Sequence, residues 1–371
     1  MLEWKLIRLG DICLTNKSSY SSKDNWKFVN YLDTGSLTEN KITELQYINI
    51  EMDKMPSRAR RKVIKNSILY STVRPNQLHY GIIKEPVDNL LVSTGFTVID
   101  VDTNKAIPEF IYYLLTQNNT TEQLQAIAEQ SESTYPSIKP SDIENLEFKL
   151  PNLIIQSKIV SILDTIDSKI RQNEKINNNL EQQTQAIYSR MFIEHRQESW
   201  STGQLSDLIS VKYGKDHKKL ADGNYPVYGS GGIIRYVEKP LHTGESVLIP
   251  RKGTLNNVIY VNEAFWSVDT MFYTEMLHPN IAKFVYHFVK SKDLASLNAG
   301  SAVPSMTTNI LNAMQLYIPD EKTLEKFENI VSPMYSAMQE NTKESKILAN
   351  TRDTLLPKLM SGELDVSDID L

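Results

Sequence analysis

Cysteine is almost missing from this chain: Cys13 is the only one in 371 residues. A disulfide framework and a thiolate metal site are therefore excluded, and a reducing, cytoplasmic setting is expected. No stretch approaches the ~18 consecutive apolar residues of a membrane span. The opening Met1-Leu2-Glu3-Trp4 does not read as a secretory signal. The motifs of phosphate and cofactor chemistry are missing too. There is no GxxxxGKS or GxxxxGKT, and Gly229-Ser230-Gly231-Gly232 lacks the spacing of GxGxxG and reads as a tight turn. No two prolines are adjacent, so the Asn/Asp-Pro-Pro-aromatic motif of adenine methyltransferases is missing. His79, His195, His217, His242, His278 and His287 show no HExxH or other ligand spacing, and no metal site is expected. Pro319-Asp320-Glu321-Lys322 imitates a PD…(D/E)xK nuclease pattern. That pattern needs carboxylates converging from separate strands, whereas these residues are contiguous at a helix start, where acids suit the dipole. No catalytic constellation remains.

What the chain does contain is itself, twice. Trp4 and Gly10-Asp11-Ile12 recur as Trp200 and Ser206-Asp207-Leu208, and Gly35 recurs as Gly231, all at an offset of 200 − 4 = 196. Pro136-Ser137 recurs as Pro304-Ser305, and Leu150-Pro151 as Ile318-Pro319, at an offset of 304 − 136 = 168. A repeat of half a chain is a tandem duplication, not a solenoid. Each copy is a globular segment followed by a long helix. The reading is four parts: residues 1–150, a helical region 151–197, residues 198–318 and a helical region 319–371. The first globular part is mixed α and β. Ser67 to Val73 and Phe96 to Val101 are strand-like, Pro108 to Leu115 starts a helix with proline in its first turn, Thr121 to Gln130 reads as a second helix, and Leu146 to Leu150 as a closing strand. Ser246 to Ile249, Met271 to Tyr273 and Ile281 to Lys290 repeat these cues.

Both helical regions carry apolar or small residues at alternating steps of four and three, the seam of a coiled coil. The first seam is Ile159, Leu163, Ile166, Ile170, Asn173, Asn177, Leu180, Thr184, Ile187 and Met191. The second is Phe327, Val331, Met334, Met338, Asn341, Ser345, Leu348, Arg352, Leu355 and Leu359. Asn173 and Asn341 occupy the same seam position, where a buried polar pair fixes register at a cost in stability. A helix from Leu153 to Arg196 would reach ~66 Å at about 1.5 Å per residue. Pro333 and Pro357 are expected to bend or end the second rod. The plainer alternative is two independent amphipathic helices, each packed on its own domain.

Net charge is −5, but residues 320–371 hold 11 acidic and 6 basic side chains, so the rest is neutral overall. Within it, the span from Lys54 to Lys84 has eight Lys and Arg and no Asp or Glu. Local charge is what a phosphate backbone meets. Arg58, Arg60, Arg61 and Lys62 lie before a predicted strand, and Arg74, Asn76 and Gln77 follow it. Arg matches guanine bidentately and Asn or Gln matches adenine, while surplus Lys and Arg hold phosphates. The second copy has Arg251, Lys252, Asn256 and Asn257 after its equivalent strand, with Lys212, Lys215, Lys218 and Lys219 nearby. A single charged run is ordinarily a solvated face; the same basic-plus-amide pattern after the same strand twice points to DNA. Tyr80 and Tyr135 are read as buried packing residues in preference to stacking platforms.

The chain resembles the specificity subunit of type I restriction-modification enzymes. The resemblance spans nearly all of it and rests on Tyr135-Pro136-Ser137-Ile138 and Val303-Pro304-Ser305-Met306, each leading through a short strand to a proline and a long helix. It rests too on the helix start Leu150-Pro151-Asn152-Leu153-Ile154-Ile155-Gln156 and on the ending Leu359-Met360-Ser361-Gly362-Glu363-Leu364. Ile318-Pro319-Asp320-Glu321-Lys322-Thr323-Leu324 departs at Leu324, where the first copy has Gln156; that bears only on how alike the two partner-docking surfaces are. The resemblance implies two target recognition domains separated by an antiparallel coiled coil, each reading one half of a bipartite, asymmetric DNA site, with coil length measuring the spacer. It implies a non-catalytic subunit that binds no cofactor itself. Two modification subunits with S-adenosylmethionine would methylate adenine N6, and restriction subunits using ATP and Mg would translocate and cut. Half-sites about one helical turn, ~34–36 Å, apart present their grooves on one face. Other readings stay open: a specificity subunit serving a methyltransferase without a restriction partner, a chain that itself cuts or modifies DNA, and a coiled-coil scaffold that binds no DNA.

Overall fold

The structure is a computed structural model and describes residues 4–131, 135–297 and 305–369. Met1 to Glu3 of the opening, and Val303 and Pro304 of the second Pro-Ser motif, lie outside the described residues. The chain divides into two compact units that do not follow linear order. Unit 1 is Met1–Arg171 with Glu344–Leu371, and unit 2 is Gln172–Lys343. Each long helix is thus shared, one part belonging to each unit.

In unit 1 two four-stranded sheets carry the globular part. One has the order Cys13–Thr15, Phe96–Val101, Ser67–Ser71, Tyr80–Ile83, all antiparallel. The other runs Gln46–Asn49, Phe28–Leu32, Leu90–Ser93, Ala59–Lys62, with a parallel pair at its centre. Ser67–Ser71 is buried at every residue, as a central strand covered on both faces must be. The basic run read as preceding a strand is itself one. Ala59 is fully buried while Arg60 is exposed, the alternation of a half-buried strand, and its edge position is where charged side chains are tolerated.

Besides a two-stranded closing pair, unit 2 has one six-stranded sheet of order Ile209–Tyr213, Met271–Met276, His242–Pro250, Ile259–Ser267, Asp222–Gly229, Gly232–Val237. The tight turn at residues 229–232 joins the last two. The duplication is kept residue for residue where the globular parts close. Lys5 pairs with Leu150 in one unit and Ser201 with Ile318 in the other, which reproduces the offsets 201 − 5 = 196 and 318 − 150 = 168. Both long helices then start on the same cap. Asn152 Oδ1 accepts the Ile155 N–H at 3.0 Å, and Asp320 Oδ1 accepts the Thr323 N–H at 2.9 Å, each satisfying one free amide of the first turn.

The first long helix is α-helical over Leu153–Tyr188 and continues as six residues of π-helix, Ser189–Glu194. The second, Glu321–Ser361, is unbroken. Pro333 and Pro357 do not end it; both occupy exposed positions, where the carbonyl left without a donor can turn to water. Within each unit the helices run antiparallel. Unit 1 pairs Lys169 with Glu344 and Asp167 with Arg352. In unit 2 the seam asparagines meet: Asn173 Nδ2 reaches the Asn341 carbonyl at 3.4 Å, and Asn341 Nδ2 donates to Asn177 Oδ1 at 2.8 Å. Ile159, Leu163, Phe327 and Val331 are buried, and Ile166, Ile170, Leu180, Ile187, Leu348 and Leu355 half-buried. The buried ones belong to the core of their own unit, so seam packing and packing on the domain are combined.

One further residue corrects the sequence reading. Gln156, taken as part of a docking surface, is 1% exposed. Its Oε1 accepts the Ile107 N–H and its Nε2 donates to the Pro151 carbonyl, both at 2.9 Å, so it fastens the helix start internally. Gly362 ends the second helix with φ +77°, and a Cβ there would lie 2.9–3.0 Å from the Trp4 ring. Left-handed backbone and ring contact together demand glycine.

Candidate nucleic-acid interface

The corner that follows the central strand is built alike in both units. In unit 1, Val73 bridges to Ser137, and the Arg74 N–H donates to the Pro136 carbonyl at 2.9 Å. In unit 2, Lys252 bridges to Ser305, and the Met306 N–H donates to the Arg251 carbonyl at 2.9 Å. Pro136-Ser137 and Ser305-Met306 are thus backbone clamps on the basic corners. Arg74 and Gly253 stand at the same place, one residue past the bridge, and both have positive φ, 48° and 84°. Glycine adopts this freely. An arginine held there costs on the order of 1 kcal/mol, and such outliers cluster at functional positions.

Around the unit 1 corner the hairpin between Leu90–Ser93 and Phe96–Val101 gathers the basic segments. Thr94 N–H donates to the Arg58 carbonyl and Thr72 N–H to the Gly95 carbonyl, so Arg58 and Arg74 flank one turn. Both are exposed, and so are Arg60, Asn76 and Gln77. Asn76 and Gln77 lie in the 3-10 turn Pro75–Gln77, fastened by the Asn76 N–H to Gln125 Oε1 at 3.2 Å. The Arg74 guanidinium lies 5.1 Å from the Tyr135 ring centre. Tyr135 is 57% exposed and so is not the buried packing residue expected, whereas Tyr80 is buried. Lys62 and Arg61 turn away from this group. Lys62 pairs with Asp24 and lies over Trp26, and the Lys62 ammonium holds the Asp24 carboxyl below the usual carboxylate range. Arg61 is half-buried, with its Nε enclosed.

In unit 2 four loops converge at one end of the sheet. Lys215 N–H donates to the Ser267 carbonyl, Arg251 N–H to Thr270 and Val268 N–H to Tyr228, and Asn257 Nδ2 donates to the Ser230 carbonyl at 2.7 Å. Arg251 lies 5.3 Å from the ring centre of Tyr213, itself 52% exposed. Lys252 and Lys215 are exposed beside it, and Lys218 is exposed further along its loop. Asn256 and Asn257, offered as base readers, are occupied by the fold. Asn256 donates to Asp293 and accepts from the Ala295 N–H, which holds the Asp293 carboxyl low, and Asn257 pins the glycine turn. Lys212 is paired with Glu275 at 3.3 Å. Tyr213 and the exposed Ile233 and Ile234 beyond the turn escaped the sequence reading. An aromatic two residues before Lys215 is the only signal that marks Tyr213.

Each unit therefore presents an arginine beside an exposed tyrosine at this corner, Arg74 itself exposed and Arg251 half-buried. Guanidinium and ring together can hold a phosphate, stack on a base or bond a guanine edge. Cys13 is not a reactive group: it is buried, its thiol donates to the Leu9 carbonyl at 3.0 Å, and burial pushes it up to about 12. Among the described residues no cluster of His, Cys, Asp and Glu is placed to hold a metal, and no helix is long and apolar enough to cross a membrane.

The profile of the type I restriction modification DNA specificity domain matches residues 1–182 and again 197–348. The HindI specificity subunit of Haemophilus influenzae is 23% identical over 98% of this chain and 100% of its own length. The MjaIX specificity subunit of Methanocaldococcus jannaschii is 20% identical over 98% of this chain and 94% of its own. Among solved structures, the type I restriction-modification S subunit from M. genitalium superposes with a TM-score of 0.60 at 19% identity, covering 99% of this chain and 97% of that one. That likeness is one of fold.

Proposed function

The chain belongs to the type I restriction-modification DNA specificity family and is a DNA sequence-specificity subunit, and from that premise we propose that its two units each read one half of a bipartite, asymmetric site. The observation that carries this is that each corner sets an arginine beside an exposed tyrosine, Arg74 with Tyr135 one residue past the bridge in unit 1 and Arg251 with Tyr213 one residue before it in unit 2. The same clamp displays different neighbours, Asn76 and Gln77 in one case and Lys252 and Lys215 in the other, so the half-sites differ. Lys215, Lys218, Arg58 and Arg60 hold phosphates and set register, and the corner guanidiniums read base edges.

The subunit works without a catalytic centre or cofactor of its own, in the cytoplasm. Two modification subunits, carrying S-adenosylmethionine, methylate an adenine N6 after flipping it from the stack, and restriction subunits supply ATP- and Mg-dependent cleavage. Neutralising several phosphates makes the binding steeply salt-dependent, which a protein scaffold's assembly would not be. The test is to co-express the chain with the adenine methyltransferase encoded beside it and map N6-methyladenine across the host DNA. A split, asymmetric motif that vanishes without this chain is expected. A stable complex that adds no methylation would overturn the reading.

A further inference from the structure

The two units carry the same tyrosine on the same helix, and only one of the two is capped by a cation. The helices Pro108–Leu115 and Ala282–Lys290 begin after Ile107 and Ile281, an offset of 281 − 107 = 174, which matches Tyr112 with Tyr286, Tyr113 with His287 and Thr116 with Lys290. Their partners agree with this match. The Tyr113 hydroxyl donates to Asp167 at 2.7 Å, and His287 Nε2 meets the Tyr335 hydroxyl at 3.0 Å. Asp167 and Tyr335 stand 335 − 167 = 168 apart, the offset of the long helices.

In unit 2 the Lys290 ammonium lies 5.2 Å from the Tyr286 ring centre, donates to its hydroxyl at 2.8 Å and pairs with Glu181. In unit 1 Thr116 replaces that lysine, and Ala349 replaces the glutamate (349 − 181 = 168). A cavity of about 450 Å³ opens there instead, lined by Tyr80, Tyr112, Thr116, Glu39, Asp353 and Arg352 among others. With Asp167 its lining holds three carboxylates against one guanidinium, and Arg352 is already bonded to Asp167 and Asp353, each at 2.8 Å. Glu39, from a different element, has no ion pair among the described residues. Where unit 2 supplies its own cation, unit 1 has the ring, the carboxylate and the space.

We propose that this cavity receives a lysine or arginine side chain of the methyltransferase subunit, its cation over the Tyr112 ring and paired with Glu39. The volume suits a whole long side chain and exceeds the need of a single ion. Unit 2 fills the matching place with a lysine side chain of its own, which sets the occupant as a protein cation and not a free amine. The proposal rests on the assembly reading above and names one contact within it.

The test uses the full chain and the methyltransferase subunit, with their dissociation constant measured by calorimetry. Thr116→Lys supplies the cation from within, as unit 2 does, and Glu39→Gln removes the free carboxylate. Each is expected to weaken assembly about tenfold, with DNA-binding by unit 2 and the melting temperature kept. Both variants assembling within twofold of the parent chain would overturn the proposal. So would millimolar L-argininamide raising the melting temperature of the parent chain, but not of Thr116→Lys, while assembly is unaffected. Failure of the parent chain to bind the methyltransferase at all would instead count against the assembly reading.

Discussion

Where the globular helix of each unit meets its long helices, the same four positions are built from opposite chemistry. Unit 1 uses Tyr113, Asp167, Arg352 and Asp353, an ionic joint with two charge-assisted bonds to the guanidinium. At the matching positions unit 2 has His287, Tyr335, Thr184 and Gln185, a neutral joint. His287 Nδ1 meets Gln185 Oε1 at 2.8 Å and its Nε2 meets the Tyr335 hydroxyl. Burial pushes His287 down to about 4, so it is uncharged at neutral pH. A duplicated fold thus requires that donors and acceptors at a joint be complementary and leaves their charge free to diverge.

Position 109/283 on that helix should break the comparison most strongly. Lys283 is 4% exposed and bonded to both Glu245 and Glu328, while its counterpart Glu109 pairs with a 44% exposed Lys84 side chain. Removing one partner of a buried group leaves uncompensated charge. Lys283→Ala should destabilise unit 2 by about 3–5 kcal/mol, and Lys84→Ala should cost unit 1 about 0.5 kcal/mol. Segment-resolved hydrogen exchange separates the two units, and equal losses would contradict the contrast.

Acid should split the joints next. A histidine with a folded value near 4 and an ordinary unfolded value near 6.5 binds fewer protons when folded. Its contribution to stability is therefore complete above about pH 6.5 and lost as pH falls toward 4, by roughly 3 kcal/mol. Tyr188, Tyr286, Lys290 and Glu181 also surround this ring, and the carboxylate is shared with Lys290, so His287→Gln is the control. Unit 2 of that variant should keep its exchange protection over the same pH range. A parent chain whose unit 2 melts no earlier than unit 1 at pH 5 would contradict the assignment.

The smallest effect sharpens the DNA corner. Arg74→Gly copies Gly253. It should stabilise unit 1 by up to about 1 kcal/mol through relief of the left-handed backbone, yet lower affinity for one half-site by about 1–3 kcal/mol, with the other half-site unchanged in binding and methylation maps. Loss of both half-sites would make Arg74 a folding residue.

The duplication was legible because the strands that close each unit and the caps that start each helix are short-range features, and their register copies the sequence offsets. The coiled-coil seam was legible through its period. The basic corner was legible only in part. Charge alone cannot tell Arg74, displayed beside Tyr135, from Lys62, drawn to Asp24, or from Asn256 and Asn257, which hold loops. Those outcomes depend on partners 27 or more positions away. The edge strand Ala59–Lys62 was hidden because its exposed positions are arginines, poor strand signals. Helix-breaking prolines misled because their cost is small at exposed positions of a helix that packs along its other face.

Unit 1 is assembled from both parts of the chain, with Arg352 bonded to Asp167 across 352 − 167 = 185 positions and Trp4 lying against Gly362. In terms of synthesis, unit 2 can complete its own set of contacts while unit 1 still waits for its closing helix. These closing turns must find a partner made about 185 residues earlier, at ~5–20 residues per second a wait on the order of ten seconds or more. During that wait the core faces of Ile155, Ile159 and Leu163 lack Leu359 and Met360, their neighbours in the finished core. Nascent unit 1 is therefore the half of this protein most exposed to chaperones and to aggregation.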